Sequence, residues 1–156
     1  MISVLWSAAG TDADTVLASQ VHAALGGSPA TGRLCGQCGS DEHGRPWARA
    51  DGRDVPVSVS RAGEHLLTVI APDAAAVGVD VELIDREFPL DVLLAPGESA
   101  ATADDAARLW VAKEAILKAQ GTGLTRPLDT LVAAAFPGEL RCLDAPAGCV
   151  AAIALL

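Results

Sequence analysis

Two acidic residues on one predicted strand are the first candidates for chemistry. The stretch "VGVDVELI" at 77–84 is predicted to be a strand, in which side chains alternate between faces, so Asp80 and Glu82 point the same way. Neighbouring carboxylates repel each other and lose hydration when buried, and a hard divalent cation such as Mg²⁺ relieves both costs. A solvent-facing edge strand is the simpler interpretation of this pair alone.

The segment "LWVAKEAILKAQGTGL" at 109–124 holds the only two lysines of the chain, Lys113 and Lys118. In a helix, Trp110, Glu114 and Lys118 have i, i+4 spacing and form one stripe, while Lys113 points about 100° away from Glu114. If this helix packs on the strand, Glu114 completes an oxygen triad with the two strand carboxylates. Lys118 can then reach a phosphate held by the metal. The alternative is an exposed Glu–Lys pair worth only tenths of a kcal/mol.

The composition predicts one globular domain that binds a small anion rather than nucleic acid. A chain of 156 residues can bury a core of its own, and a net charge of −9 disfavours nucleic acid, which needs a positive surface. No apolar run is long enough to span a membrane, and the start lacks the basic flank of a signal peptide, so we expect a cytoplasmic protein. A basic island suits a small polyanion, with scattered surface arginines as the alternative. It comprises Arg33, Arg45, Arg49, Arg53 and Arg61.

Four cysteines, at 35, 38, 142 and 149, do not suggest a disulfide framework in a cytoplasmic chain. In "CGQCGSDEHG" the pair Cys35 and Cys38, with His43 nearby, is similar to half of a zinc knuckle. A structural zinc site normally has four ligands, and no second pair with suitable spacing follows. A small zinc-binding interaction module is therefore kept as an alternative function.

The order of predicted elements indicates an α+β fold, because strands and helices are mixed without regular βαβ alternation. Helical spacing after a cap at Thr11 or Asp12 predicts the first helix, and Gly121 ends the second. The stretch 28–54 is rich in Gly, Pro, Ser and charge, and is predicted to be mostly loop. Strands are predicted at 2–7, 55–60, 66–71, 77–84 and in the closing stretches "DTLVAAAF", "GELRCLDA" and "GCVAAIALL", with helices at about 12–25 and 103–120.

Four short motifs in order resemble those of the 4′-phosphopantetheinyl transferase superfamily. They are "HGRP", "VSVSRAG", "GVDVE" and "WVAKEAILKAQGTGL", which together span residues 43 to 124. The resemblance implies an α+β fold of two pseudo-related lobes with the active site between them, divided at about 1–75 and 76–156. It also implies transfer of the phosphopantetheine arm of coenzyme A to a serine of an acyl or peptidyl carrier protein, with release of 3′,5′-ADP.

The resemblance also assigns roles to individual residues. Asp80, Glu82 and Glu114 would bind Mg²⁺, with Mn²⁺ as the alternative ion, and the metal would hold the pyrophosphate of coenzyme A. Glu114 would help to take the serine proton, and Lys113 and Lys118 would neutralise phosphate oxygens as charge develops. The remaining contacts to coenzyme A would come from Arg45, Pro46, Ser60 and Arg61.

Two departures from the family pattern support an alternative. Arg61 stands where the family has histidine, and Ala62 follows in place of serine or threonine. Only about 40 residues precede "HGRP", so the N-terminal lobe of the surfactin-type members is shortened here. We expect a trimmed two-lobe monomer. The alternative function is a non-catalytic relative that binds a carrier protein or coenzyme A without transfer, and the pathway served is left open.

Overall fold

A computed structural model describes residues 1–122 and 126–156, and it confirms the predicted α+β class. None of the helices in these two ranges is long and apolar enough to cross a membrane. The elements are β1 Ser3–Ala8, α1 Ala13–Leu25, β2 Pro29–Leu34, β3 Arg45–Ala50, β4 Arg53–Val55, β5 Val57–Ala62, β6 His65–Ile70, β7 Val77–Leu83, α2 Leu90–Leu93, α3 Ala103–Gln120, β8 Glu139–Leu143 and β9 Cys149–Leu155.

The strands form three small antiparallel sheets, with the orders β1-β6-β5, β2-β3-β4 and β7-β9-β8. Helix α1 packs against β2, β3 and β6, and helix α3 packs against β7 and β9. The apolar residues Val77, Val79 and Val81 of β7 lie on one face of the sheet and pack with β6 in one cluster. Apolar side chains of β9 alternate between the two faces, so that one set joins this cluster and the other faces α3.

Strands β5 and β7 join two of these sheets through serine side chains rather than through a backbone ladder. The backbone N–H of Val79 donates to Ser58 Oγ at 3.0 Å, and that of Val81 donates to Ser60 Oγ at 3.3 Å. Since alternate residues of a strand share a face, both serine hydroxyls reach the same edge of β7. The repeated serine of "VSVSR" therefore satisfies buried N–H groups at the junction.

Gly78 allows β7 to approach α3 closely. A Cβ atom at this position would lie 2.0 Å from the carbonyl oxygen of Ala115 and 2.5 Å from the nitrogen of Ala119. The helix itself begins at a capping box of Thr102 and Asp105 and ends at Gly121, whose φ of 70° is left-handed. The predicted helix at 103–120 is thus confirmed, and local signals determine both ends.

Two predicted segments differ from the structure. Strands β2 and β3 and the first two residues of β4 lie within 28–54, where the sequence predicts a loop. Antiparallel pairing with neighbouring strands holds together residues that lack an alternating apolar pattern. "DTLVAAAF" was predicted to be a strand but forms 3₁₀ turns at Leu128–Thr130 and Ala133–Ala135. Its apolar side chains pack beside α3 instead of in a sheet. The motif's final residues 123–124 lie outside the described ranges.

Candidate functional site

Asp80 is the buried centre of the candidate site, with only 5% of its surface exposed. One carboxylate oxygen, Oδ1, accepts hydrogen bonds from Ser60 Oγ at 2.8 Å and from Lys118 Nζ at 2.7 Å. Lys118 also donates to the carbonyl oxygen of Val79 at 2.9 Å. The ammonium and the hydroxyl therefore orient one oxygen of Asp80, while the other, Oδ2, is buried and has no hydrogen-bond partner in the described part of the chain.

Glu82 lies one strand repeat further along β7, on the same face, and forms an ion pair with Arg86. The guanidinium of Arg86 in turn stacks against two aromatic rings, 5.3 Å from the centroid of Phe88 and 5.2 Å from that of Trp110. Trp110 begins the predicted stripe of α3. The stacked arginine thus links the end of that stripe to the second carboxylate.

Glu114, in the middle of the stripe, faces the two strand carboxylates. Burial raises the pKa of Glu114, the charge of Asp80 raises it further, Lys118 lowers it, Glu82 raises it and Arg86 lowers it. Its Oε1 atom is buried without a hydrogen-bond partner among the described residues. Helix α3 packs against β7, and the predicted approach of Glu114 and Lys118 to Asp80 is observed.

These three carboxylates fit a hard divalent cation by donor type and by their unsatisfied atoms. Oδ2 of Asp80 and Oε1 of Glu114 are buried acceptors without donors, which costs about 1–3 kcal/mol each unless something binds them. The oxygen atoms of the three carboxylates lie further apart than the ligands of one ion. Within the described ranges, only Cys35, Cys38 and His43 bring three potential ligand atoms within 4.8 Å of one another. Asp80 pairs with Lys118 and Glu82 pairs with Arg86, and like charges at short range repel each other.

A pocket of about 320 Å³ opens beside this cluster, between β3, β5 and the end of α3. Three cationic side chains, those of Arg33, Arg45 and Lys118, line it together with Pro46 and Gly121. Arg45 approaches Gly121 so closely that a Cβ atom there would lie 2.3 Å from its Nη1. The pocket concentrates positive charge on a protein of net charge −9, which favours an anionic ligand.

Lys113 is not at this site, contrary to its predicted contact with phosphate. Its ammonium is fully buried, donates to the carbonyl oxygens of Leu93 at 2.5 Å and Leu128 at 2.9 Å, and pairs with Glu98 at 2.5 Å. The face of α3 that carries Lys113 is covered by α2 and by the turn after Pro127. The lysine therefore holds these two segments against the helix.

Ser60 and Arg61 also lie elsewhere than predicted. The Ser60 hydroxyl is used by Asp80 and Val81, so it orients a carboxylate rather than lining the pocket. Arg61 is exposed and its guanidinium donates to the carbonyl oxygens of Ala9 and Thr11, at 3.3 Å each. Adjacent residues of a strand point to opposite faces, so Arg61 turns away from the face that Ser60 presents to β7.

Several residues of the site carry only a weak signal in the sequence. Arg33 belongs to the basic island and Ser58 to a predicted strand, yet both line the pocket. Arg86 stands four residues after Glu82, a spacing at which opposite charges often pair, and this is the signal that could identify it. Glu98 gave no local signal, because it is 15 residues from its partner Lys113.

Comparisons with known proteins support the predicted family for part of the chain. Residues 76–138, less than half of the sequence, match the family model of the 4′-phosphopantetheinyl transferase superfamily. No curated protein matches the chain. The matched segment contains β7 and α3, and therefore all three carboxylates and Lys118. The upstream motifs "HGRP" and "VSVSRAG" lie outside it.

Proposed function

We propose, from the premise that residues 76–138 belong to the 4′-phosphopantetheinyl transferase superfamily, that this protein transfers the phosphopantetheine arm of coenzyme A to a serine of an acyl or peptidyl carrier protein. One observation carries the proposal. The buried carboxylate cluster lies beside a cationic pocket, and Lys118 belongs to both. Transfer of a phosphoryl group needs this combination of metal ligands and cations.

Asp80, Glu82 and Glu114 are the residues that would hold Mg²⁺, with Mn²⁺ as the alternative. When bound, the ion would supply charge neutralisation at the pyrophosphate of coenzyme A. Ser60 orients Asp80 through a buried 2.8 Å hydrogen bond, which keeps one carboxylate oxygen in place and leaves the other available. Arg86 would have to release Glu82 in part for all three carboxylates to converge.

In the proposed reaction the carrier serine oxygen forms a bond to the phosphorus of the pantetheine phosphate. The P–O bond to the adenosine-side phosphate breaks, and 3′,5′-ADP leaves with the electron pair. Glu114 is the acceptor we assign for the serine proton because, unlike Asp80 and Glu82, it forms no ion pair within the described ranges.

Lys118 and Arg45 are assigned to the phosphates of coenzyme A. The Lys118 ammonium has three N–H donors and uses two of them on Val79 and Asp80, so one is left for a phosphate oxygen. Arg45 has no ion-pair partner among the described residues, and it lines the pocket next to Lys118. Its planar guanidinium can bind a phosphate with two parallel hydrogen bonds.

The two-lobe division also stays part of the proposal. Elements before residue 76 build two sheets around α1, and those after it build one sheet around α3, so the boundary falls where the packing partner changes. The pocket lies between residues of both parts, as Arg45 and Lys118 show. We propose a monomer of the surfactin type.

The test is incubation with coenzyme A, MgCl₂ and a panel of apo carrier proteins, read by intact mass. Wild type should add one phosphopantetheinyl group to a carrier, and Asp80→Asn and Glu114→Gln should not. Arg45→Ala should raise the KM for coenzyme A, whereas Arg49→Ala is the matched control. Arg49 lies on the same strand but pairs with Asp54 and does not line the pocket.

Two outcomes would overturn the assignment. Binding of coenzyme A without modification of any carrier would favour the non-catalytic relative. Transfer that survives in Asp80→Asn would remove the carboxylate cluster from the mechanism.

A further inference from the structure

The loop between β2 and β3 gathers three metal-ligating side chains far from the carboxylate cluster in sequence. One ligand atom each from Cys35, Cys38 and His43 lies within 4.8 Å of the other two. Cys38 Sγ is 3.3 Å from His43 Nε2, and both of these residues are exposed. All cysteines of the chain are free. Two thiols and an imidazole that converge in this way form a donor set for a borderline-soft transition metal.

The backbone of the loop is already shaped around Cys35. Gly39 donates its N–H to the Cys35 carbonyl at 2.9 Å with a left-handed φ of 74°, and the Cys35 N–H donates to Ser40 O at 2.9 Å. These backbone hydrogen bonds fix the turn that brings Cys35 close to Cys38 and His43.

We propose that Cys35, Cys38 and His43 bind one Zn²⁺ ion, with the fourth position open to solvent. Zinc prefers four-coordinate sites built from cysteine sulfur and histidine nitrogen, and the three ligands come from one loop of nine residues. The ligands are sulfur and nitrogen, so this site differs in kind from the oxygen cluster of Asp80 and Glu114. Mg²⁺ would not compete for it.

The proposed ion has a structural task, because the hairpin that carries it buries little apolar surface. Leu34 at the end of β2 is 56% exposed and Trp47 on β3 is 37% exposed. Metal binding that closes such a hairpin contributes folding free energy directly.

The position of His43 connects the proposed site to the pocket. Only Gly44 separates it from Arg45, and Gly44 packs so tightly that a Cβ atom would lie 2.4 Å from Leu34 O. A movement of His43 would therefore also move Arg45, the first residue of β3. The ion would hold Arg45 at the pocket that Lys118 also lines.

The test is metal content and Co²⁺ substitution in the full chain, purified under reducing conditions without a metal-binding tag. We expect one Zn²⁺ per chain and, in the Co²⁺ form, thiolate-to-metal charge-transfer absorption. Cys38→Ser and His43→Gln should each lower Zn²⁺ affinity by more than about 100-fold, since even partners outside the ligand shell cost about 10–100-fold. Cys142→Ser changes another exposed cysteine and should bind Zn²⁺ as wild type does.

Amide hydrogen exchange gives a second measurement that needs neither coenzyme A nor a carrier protein. Removal of Zn²⁺ by a chelator should speed exchange in β2 and β3, and Zn²⁺ should restore protection in Cys142→Ser but not in Cys38→Ser. Wild type that takes up less than a tenth of an equivalent of Zn²⁺, or Zn²⁺ affinity unchanged in Cys38→Ser, would overturn the proposal. A Cys35–Cys38 disulfide in the reduced preparation would overturn it as well.

Discussion

Gly78→Ala tests how closely β7 must pack on α3 for the site to form. A Cβ atom at position 78 would lie 2.0 Å from Ala115 O and 2.5 Å from Ala119 N, whereas real Cβ contacts are essentially never below 3.0 Å. Both obstacles are backbone atoms, so rotation of a side chain cannot relieve them. The helix must therefore move away from the strand by roughly 1 Å, which is the difference between the 3.0 Å limit and the 2.0 Å distance to Ala115 O.

The cost of this displacement follows from packing. Overpacking a well-packed interior costs about 1–3 kcal/mol, and backbone obstacles place Gly78→Ala in the upper part of that range. Alanine restricts the unfolded chain more than glycine does, which stabilises the folded state by about 0.4–1 kcal/mol. The net decrease in the free energy of unfolding is therefore about 2 kcal/mol. For a domain of this size the loss lowers Tm by about 4–8 °C. A shift of about 1 Å between Glu114 and Asp80 should slow transfer by about 100-fold.

Thermal unfolding with and without MgCl₂, together with the transfer rate, measures both effects. Gly10→Ala is the neutral control, because no heavy atom lies within 4 Å of its added Cβ. Gly138→Ala is the matched control, because its Cβ would lie 2.0 Å from Leu155 O, an equally tight backbone contact where the chain enters β8 beside β9. It should destabilise the protein without a comparable loss of transfer by the folded fraction. A Gly78→Ala protein with the Tm and Mg²⁺ response of wild type would refute the reasoning.

Three further predictions concern the buried polar groups around α3. Lys113→Met should lower the free energy of unfolding in urea by about 3 kcal/mol, because Glu98 loses its buried partner. Its folded fraction should keep the coenzyme A affinity that Lys118→Met loses, as measured by calorimetry, and equal loss in both would contradict the separation of roles. Burial alone would raise the pKa of Glu98, but hydrogen bonds from Lys113 and two backbone N–H groups outweigh it and lower the pKa. The stabilisation by Glu98 is thus present above its unfolded pKa of about 4.3 and lost as pH falls through the lower folded pKa. Glu98→Gln should therefore lower Tm at pH 7, and the difference in Tm between wild type and variant should shrink below about pH 4. A difference in Tm that is the same at both pH values would argue against this role of Glu98. Ser60→Ala should raise the Mg²⁺ concentration that gives half of the maximal increase in Tm by about 10–100-fold, because Asp80 loses the hydroxyl that orients it. An unchanged half-maximal concentration would exclude that role.

Much of the candidate site could be predicted because its signals are local. The alternation in "GVDVE" places Asp80 and Glu82 on one face of any strand, and i, i+4 spacing places Glu114 and Lys118 on one stripe of any helix. Capping residues and Gly121 determined where α3 begins and ends. These periodicities belong to the backbone, so they hold whatever the rest of the chain does.

The partners of the basic residues are not determined by local spacing. The arginines at 33, 45, 49, 53 and 61 form one island in sequence, yet of these only Arg33 and Arg45 reach the pocket. Arg49 pairs with Asp54 instead, and Arg61 binds carbonyl oxygens near the start of α1. Which acceptor a long side chain finds depends on the elements that pack beside it. Those partners come from distant parts of the chain.

The sequence by itself determined the elements that carry the candidate site, the faces on which their charged side chains lie, and the match of residues 76–138 to a family model. Only the tertiary structure decided what each charge does. Lys113 and Lys118 are five residues apart on one helix, but the first is enclosed by two covering segments and the second lies at the edge of the pocket. Helical spacing specifies the direction in which a side chain points from the helix axis. Its burial depends on which other elements pack against that face of the helix.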